Sequence, residues 1–369
     1  MKRKILKTLA AVSFTVVAAA ALSGTAMAED MSVAMVTDYG DITDQSFNQT
    51  TYEASKAFCE ANEIPFTYYK PEGDSTAERV AMIDKAIADG YTVIVMPGYA
   101  FGEAIQETCD MYPDTKFVAL DVSEGDLGGD AADNVYSAVY QEELAGYMAG
   151  YAAVKLGYTK LGFLGGMAVP AVIRYGYGYV QGADAAAAEL GADVEINYAY
   201  GNQFYGDADI TAAMDTWYQG GTEIVFACGG GIYTSAAEAA EKVGGKVIGV
   251  DVDQAATIDG AYGEGITVTS AMKGLGATVD TILGAIKDGK WDEYAGQIQN
   301  LGIVSGDDPA LNYVQIPMET TQWSDSFTQE DYYALVAKMA DGTITVSNDT
   351  SAEEPAAETA KINFQGNIK

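Results

Sequence analysis

Short apolar runs alternate with amphipathic stretches in this chain, and the alternation is played out twice. Residues 32–37, 66–69, 93–96 and 117–120 read as buried strands. Residues 47–62, 76–89 and 101–111 read as the helices between them. In the first helix Tyr52, Ser55, Phe58 and Cys59 recur at helical spacing. Gly90 ends the second helix, and Pro97-Gly98 stops the third strand. The plan restarts with strands at 160–166, 194–198, 223–227 and 247–250 and helices at 171–190, 208–219 and 233–243. Strands separated by helices imply right-handed crossovers and a parallel sheet. Residues 89–95 parallel 219–225, and 117–121 parallel 247–251. The expected fold is therefore α/β, with two doubly wound parallel-sheet lobes. Ligands of such sheets bind outside the carboxyl ends of the strands, so two facing lobes would share one cleft.

After residue 251 the chain passes through 267–270 and a helix at 274–288, then returns through 301–304. These are the natural hinge crossings. A helix at 327–340 belongs to the second lobe. The expected organisation is a signal peptide at 1–28 and a first lobe of 29–142 plus about 271–300. The second lobe is 143–270 plus about 301–346, and 347–369 form an acidic loop and a C-terminal strand.

The leader reading rests on Lys2, Arg3, Lys4 and Lys7, followed by a mostly apolar run from Leu9 to Leu22 and by Ala26-Met27-Ala28. That run is short for a membrane span. No cysteine follows it to carry a lipid, so the expectation is an exported protein, periplasmic or on the outer face of the cytoplasmic membrane. The chain has 20 basic and 53 acidic residues and a formal charge of -33. Such a surface repels phosphate backbones, which argues against a nucleic-acid partner. Histidine is absent, which removes Ser-His-Asp and Cys-His catalysis and histidine-ligated metals. Cys59, Cys109 and Cys228 match no zinc spacing and read as small buried hydrophobes.

Four strand ends carry chemistry. Asp38 follows the first strand, and Asp44, Ser46, Phe47 and Asn48 stand at the start of the next helix. Asp44 or Ser46 is placed to cap that helix, with its amides turned to the cleft. Phe47, polar on both sides, is placed to stack on a flat ring. Asp121 follows the fourth strand. In the second lobe Gly229, Gly230 and Gly231 follow one strand and Asp251 the next. Three glycines allow close backbone approach. A carboxylate such as Asp251 accepts hydrogen bonds from paired sugar hydroxyls. Lys273 follows a hinge strand, within reach of acidic groups. Nothing in this set needs a nucleophile, a metal or a cofactor.

The blocks Val36-Thr37-Asp38, Asp44-Gln45-Ser46-Phe47-Asn48-Gln49, Gly162-Phe163-Leu164-Gly165-Gly166-Met167 and Ile248-Gly249-Val250-Asp251-Val252-Asp253-Gln254 resemble the basic membrane protein family. Its members are the PnrA-like substrate-binding proteins of ABC transporters, which take up purine nucleosides. The resemblance spans roughly residues 31–345. It implies a type I periplasmic-binding-protein fold closing around a nucleoside, with a membrane permease as partner and a monomeric state. It implies Phe47 stacked on the base, Asp38 and Asn48 at the base, and Asp251 and Lys273 on the ribose. A second aromatic covers the other face, with Phe204, Phe226 and Tyr233 as candidates. Asp121, Gly229 and Gly230 are expected pocket residues. Three departures stand out: no acylated cysteine, Thr43-Asp44-Gln45 in place of Asp-Asp-Lys, and Gly-Gly-Gly-Ile-Tyr in place of Gly-Gly-Thr-Gly. Two rivals remain at this level: a binder of sugars or other small polar metabolites (or a sensor subunit), and a carboxylate-based extracellular hydrolase using Asp38 and Asp251.

Overall fold

The computed structural model describes residues 31–38 and 40–369. The leader reading falls outside them. The chain builds β1 (Val33–Val36), α1 (Phe47–Ala61), β2 (Phe66–Tyr69), α2 (Thr76–Ala88), β3 (Val93–Pro97), α3 (Gly102–Thr108), β4 (Lys116–Leu120) and β5 (Val135–Tyr140). It crosses over and builds α4 (Glu142–Lys155), β6 (Lys160–Gly165), α5 (Pro170–Leu190), β7 (Glu195–Tyr200), α6 (Ala208–Gln219), β8 (Ile224–Cys228), α7 (Tyr233–Glu241), β9 (Lys246–Asp251), α8 (Ala255–Tyr262) and β10 (Thr267–Lys273). It returns for α9 (Leu275–Lys287) and β11 (Gln297–Leu301). It then crosses once more for β12 (Val314–Gln315), α10 (Gln329–Ala340) and β13 (Lys361–Asn367).

Two sheets result, ordered β11-β5-β4-β3-β1-β2 and β12-β10-β9-β8-β6-β7-β13. Every strand pairing is parallel except β10 with β12. β1, β3, β8 and most of β4 and β9 are buried along their length. Helices cover both faces of such sheets, so these strands read as unbroken apolar runs and not as alternation. The three crossings lie side by side. Gln141 N–H donates to Leu301 O at 3.0 Å, Tyr313 N–H to Gly302 O at 3.0 Å, and Gly274 N–H to Tyr313 O at 2.7 Å. Cys59, Cys109 and Cys228 are buried free thiols.

Two features go beyond the sequence reading. Helix α4 carries no amphipathic period because nearly all of it is buried, leaving only Leu144 and Lys155 partly exposed. It packs on α5 backbone to backbone. A methyl group at Gly146 or Gly150 would strike the carbonyls of Tyr175 or Tyr179, and one at Gly178 or Gly182 those of Glu143 or Tyr147. The acidic segment before β13 is the loop expected from its sequence, and it is fastened down. The Asp184 carboxylate accepts the N–H groups of Glu358, Thr359 and Ala360 at 3.1, 2.7 and 2.7 Å, and Tyr177 Oη donates to Ala352 O at 2.6 Å. β13 then extends the second sheet beside β7.

Gly178→Ala should cost about 1–3 kcal/mol of stability, because two backbones cannot part without losing their packing. Calorimetry should show the lower Tm; an unchanged Tm would mean the helices separate freely. Glu143 is 3% exposed, and its Oε2 has no partner among the described residues. Burial pushes its carboxyl up to about 7 from the ordinary 4.5. The folded chain therefore holds a proton that the unfolded chain releases, and stability is lost as pH rises through 7. Glu143→Gln should raise Tm by roughly several degrees at about pH 8 and little at about pH 5. Equal shifts at both would contradict this assignment.

Candidate functional site

The carboxyl ends of β1, β4, β8, β9 and β10 converge on one cavity of about 640 Å³ between the two sheets. On the first lobe, Asp38 lies just past β1, 8% exposed, and its Oδ1 accepts the Gly40 N–H at 2.6 Å. Gly98, at φ 124°, leaves the room that Asp38 fills. At the start of α1 it is Asp44 that serves as the cap. Its Oδ1 accepts the N–H groups of Ser46 and Gln49 at 2.9 and 3.0 Å, and its Oδ2 that of Asn48 at 2.9 Å. The helix amides expected to face a ligand are thus already taken by Asp44. The Ser46 side chain does not cap; its Oγ donates across the cleft to Asp251 Oδ2 at 2.7 Å. Phe47 and Asn48 line the cavity.

Asp121 and Asp251 occupy matching places in the two lobes, one just past β4 and the other ending β9. Both have left-handed backbones, at φ 61° and 65°. Non-glycine residues rarely hold this conformation, and it aims both carboxylates from the strand ends toward one group, the ammonium of Lys273. Lys273 ends β10 and is 5% exposed. Its Nζ is 2.5 Å from Asp121 Oδ2, 3.3 Å from Glu142 Oε1 and 3.8 Å from Asp251 Oδ1. It also sits 4.7 Å from the centre of the Phe47 ring. Burial works against its charge, but Asp121, Glu142 and Asp251 outweigh that and hold it above the ordinary lysine value. Glu142 is fully buried, and Arg174 Nε donates to its Oε2 at 2.6 Å. Against the cost of burial, Arg174 and Lys273 together keep that carboxyl below its usual value.

On the second lobe the glycine run serves an aromatic ring. A side chain at Gly166 would collide with Phe204, one at Gly229 would press on both the Gly166 backbone and Phe204, and Gly231 N–H donates to Phe204 O at 2.9 Å. Phe204, Gly229, Gly230 and Tyr233 line the cavity. Phe226 does not. It points into the core against Phe163, Tyr175 and Tyr179, because it lies within β8 and not beyond its end. Thus Asp38, Phe47, Asn48, Asp121, Phe204, Gly229, Gly230, Tyr233, Asp251 and Lys273 come together, and Phe226 stays apart. Glu142, Arg174 and Tyr175 were not foreseen. Arg174 and Tyr175 line the cavity, while Glu142 pairs with Arg174 and Lys273. Arg174 is one of three arginines in the chain and stands in an otherwise apolar helix start, which is a legible signal. Among the described residues no cluster of three or more metal-ligating side chains is present.

Among the described residues the cavity wall carries the carboxylates of Asp38, Asp41, Asp44, Asp74, Asp121, Asp126 and Asp251, and two cations, Arg174 and Lys273. Both cations are already paired with acids. The arrangement suits a neutral guest with hydrogen-bond donors and a flat face. Among the described residues no helix is long and apolar enough to cross a membrane.

A family model described as ABC transporter substrate-binding protein PnrA-like matches residues 31–306. The ABC transporter nucleoside-binding protein BmpA of Lactococcus lactis subsp. cremoris is 30% identical over 282 residues, which cover 71% of this chain and 76% of that relative. The CD4+ T-cell-stimulating antigen of Listeria innocua is 28% identical over 276 residues, 71% of this chain and 75% of the relative. A solved ABC transporter solute-binding protein from Aeropyrum pernix shares the fold at a TM-score of 0.67, with 21% identity, over 87% of this chain and 88% of that one. The fold is the type I periplasmic-binding-protein fold that the resemblance implies. The chain belongs to the PnrA-like family of ABC transporter substrate-binding proteins.

Proposed function

We propose that this substrate-binding protein captures a nucleoside outside the cytoplasm and delivers it to a membrane permease. The observation that carries the reading is a cavity with an aromatic ring from each lobe, Phe47 and Phe204, and a cluster of fixed carboxylates beside them. Its volume of about 640 Å³ falls within the ~300–1,000 Å³ common for small-molecule sites. Phe47 and Phe204 stack on the base, and Asp38 and Asn48 take its polar edge. Asp251 and Asp121 accept the ribose hydroxyls, and Lys273 holds both carboxylates in place while donating to the sugar. The acidic wall disfavours a phosphate group, so the nucleoside is preferred over the nucleotide. The name of the Lactococcus relative, a nucleoside-binding protein, supports the same ligand class. The role is to hold and release, without turnover.

Two substitutions separate the ends of the guest. Phe47→Ala should weaken nucleosides and free bases alike, by roughly tenfold or more, from the loss of base stacking. Asp251→Asn should weaken nucleosides by roughly tenfold or more, the worth of a hydrogen bond to a charged group, and leave free bases nearly unchanged. Calorimetric titration reads both. Equal losses for base and nucleoside in Asp251→Asn would place the sugar elsewhere. After hours with the protein, guanosine should be recovered intact by chromatography; free guanine that disappears in Asp251→Asn would mark a hydrolase instead.

A further inference from the structure

Two sequence blocks meet at the cleft, residues 44–49 and 248–254, and the ligand-facing roles above use only part of each. Gln45, Ser46 and Gln254 line no part of the cavity. They meet one another across the cleft instead. Gln45 holds a left-handed backbone at φ 56°, an uncommon conformation for a residue with a side chain. The turn is braced from within its own lobe. Gln49 Oε1 accepts both the Gln45 N–H and Nε2–H, at 3.0 and 2.6 Å, and Asp44 accepts the Ser46 N–H at 2.9 Å. So held, it presents three groups to the second lobe. Gln45 O accepts from Gln254 Nε2 at 2.9 Å, Gln45 Oε1 from Thr257 Oγ1 at 3.1 Å, and Ser46 Oγ donates to Asp251 Oδ2 at 2.7 Å.

The receiving side is equally built. Gln254 is fully buried. Its Oε1 accepts the Val250 N–H at 2.9 Å, and its own N–H donates to Ser270 Oγ at 3.1 Å, so its amide has one orientation. Ser46 is fully buried too, and its bond to a carboxylate is charge-assisted. A polar group buried this way is costly once its partner leaves. The three bonds therefore exist together or are replaced together by water.

We propose that Gln45 and Ser46, closing on Asp251, Gln254 and Thr257, form an interlobe clasp that holds the cleft shut and positions the Asp251 carboxylate for the guest. Ser46 is a positioning residue. It occupies Asp251 Oδ2 and leaves Oδ1 on the side of Tyr175 and Lys273. Closure and the orientation of a binding carboxylate are thereby one event. The left-handed turn at Gln45 is the strained element that the clasp retains.

Two variants remove single hydroxyls outside the cavity: Ser46→Ala, and Thr257→Val on the half-buried face of α8. The ligand arm rests on the nucleoside reading and uses guanosine, adenosine and uridine in stopped flow. Ser46→Ala should release bound nucleoside roughly tenfold faster, and Thr257→Val roughly threefold faster, with association rates little changed. Thr257→Ser should restore the parent rate. Small-angle scattering supplies the second arm and needs no ligand. The ligand-free double variant should be more extended than the ligand-free parent. Equal radii of gyration, or release rates unmoved by either substitution, would overturn the clasp. Should none of the three nucleosides bind the parent, the nucleoside reading falls while scattering still decides the clasp. Should Ser46→Ala fail to fold, Thr257→Val and its serine rescue carry both arms.

Discussion

The ammonium of Lys273 is buried among the carboxylates of Asp121, Glu142 and Asp251, and each comes from a different element of the chain. Asp121 belongs to the first lobe, Asp251 to the second, and Glu142 opens the helix that follows a crossing. Lys273 itself precedes another crossing. Taking such charges out of water is costly, and only close pairing compensates it. Removing the lysine would strand buried acids, a loss of about 3–5 kcal/mol. The same ammonium sits over the Phe47 ring. One cation thus fixes the aromatic ring, both strand-end aspartates and the root of the hinge. Arg174 supplies the counterpart on the other oxygen of Glu142.

Much of this was legible in the sequence, for physical reasons. A strand buried on both faces can only read as an apolar run, and β1, β3, β4, β8 and β9 do so. An aspartate directly after such a run must emerge at the carboxyl edge of the sheet, which made Asp38, Asp121 and Asp251 visible. Phe204 and Phe226 differ by the same logic. Phe226 lies inside a strand and Phe204 in the loop past one, so only the loop residue reaches the cleft. Helix α4 was hidden because burial on nearly all sides erases the periodicity that betrays a helix. The pairing of Glu142 with Arg174 was hidden because it spans 32 residues, although a lone arginine in an apolar helix start was itself visible. Asp44 and Ser46 lie two residues apart, and either suits a cap. Which oxygen turns inward and which crosses to Asp251 is decided by the facing lobe.

The cleft's chemistry is one of fixed acceptors. Its carboxylates are held by backbone amides, by Ser46, or by cations, with Lys273 on Asp121, Lys70 on Asp41 and Arg79 on Asp74, so little reorganisation is needed when hydroxyls or ring N–H groups arrive. Glycines at 166 and 229 matter through the Phe204 ring they admit, and not as a phosphate cradle. Both cations on the wall are already committed to acids. A guest bearing its own negative charge would meet a wall of seven aspartates whose two cations, among the described residues, are already committed, whereas a neutral ring with hydroxyls would meet acceptors.

That contrast gives the most direct test of the account. Guanosine and guanosine 5′-monophosphate can be titrated side by side into the protein by calorimetry. The account predicts micromolar or tighter binding of guanosine, about -8 kcal/mol or better, and binding of the monophosphate weaker by roughly a hundredfold or more. Equal affinity for the two, or a preference for the phosphate, would contradict a cleft built for an uncharged, ring-bearing guest.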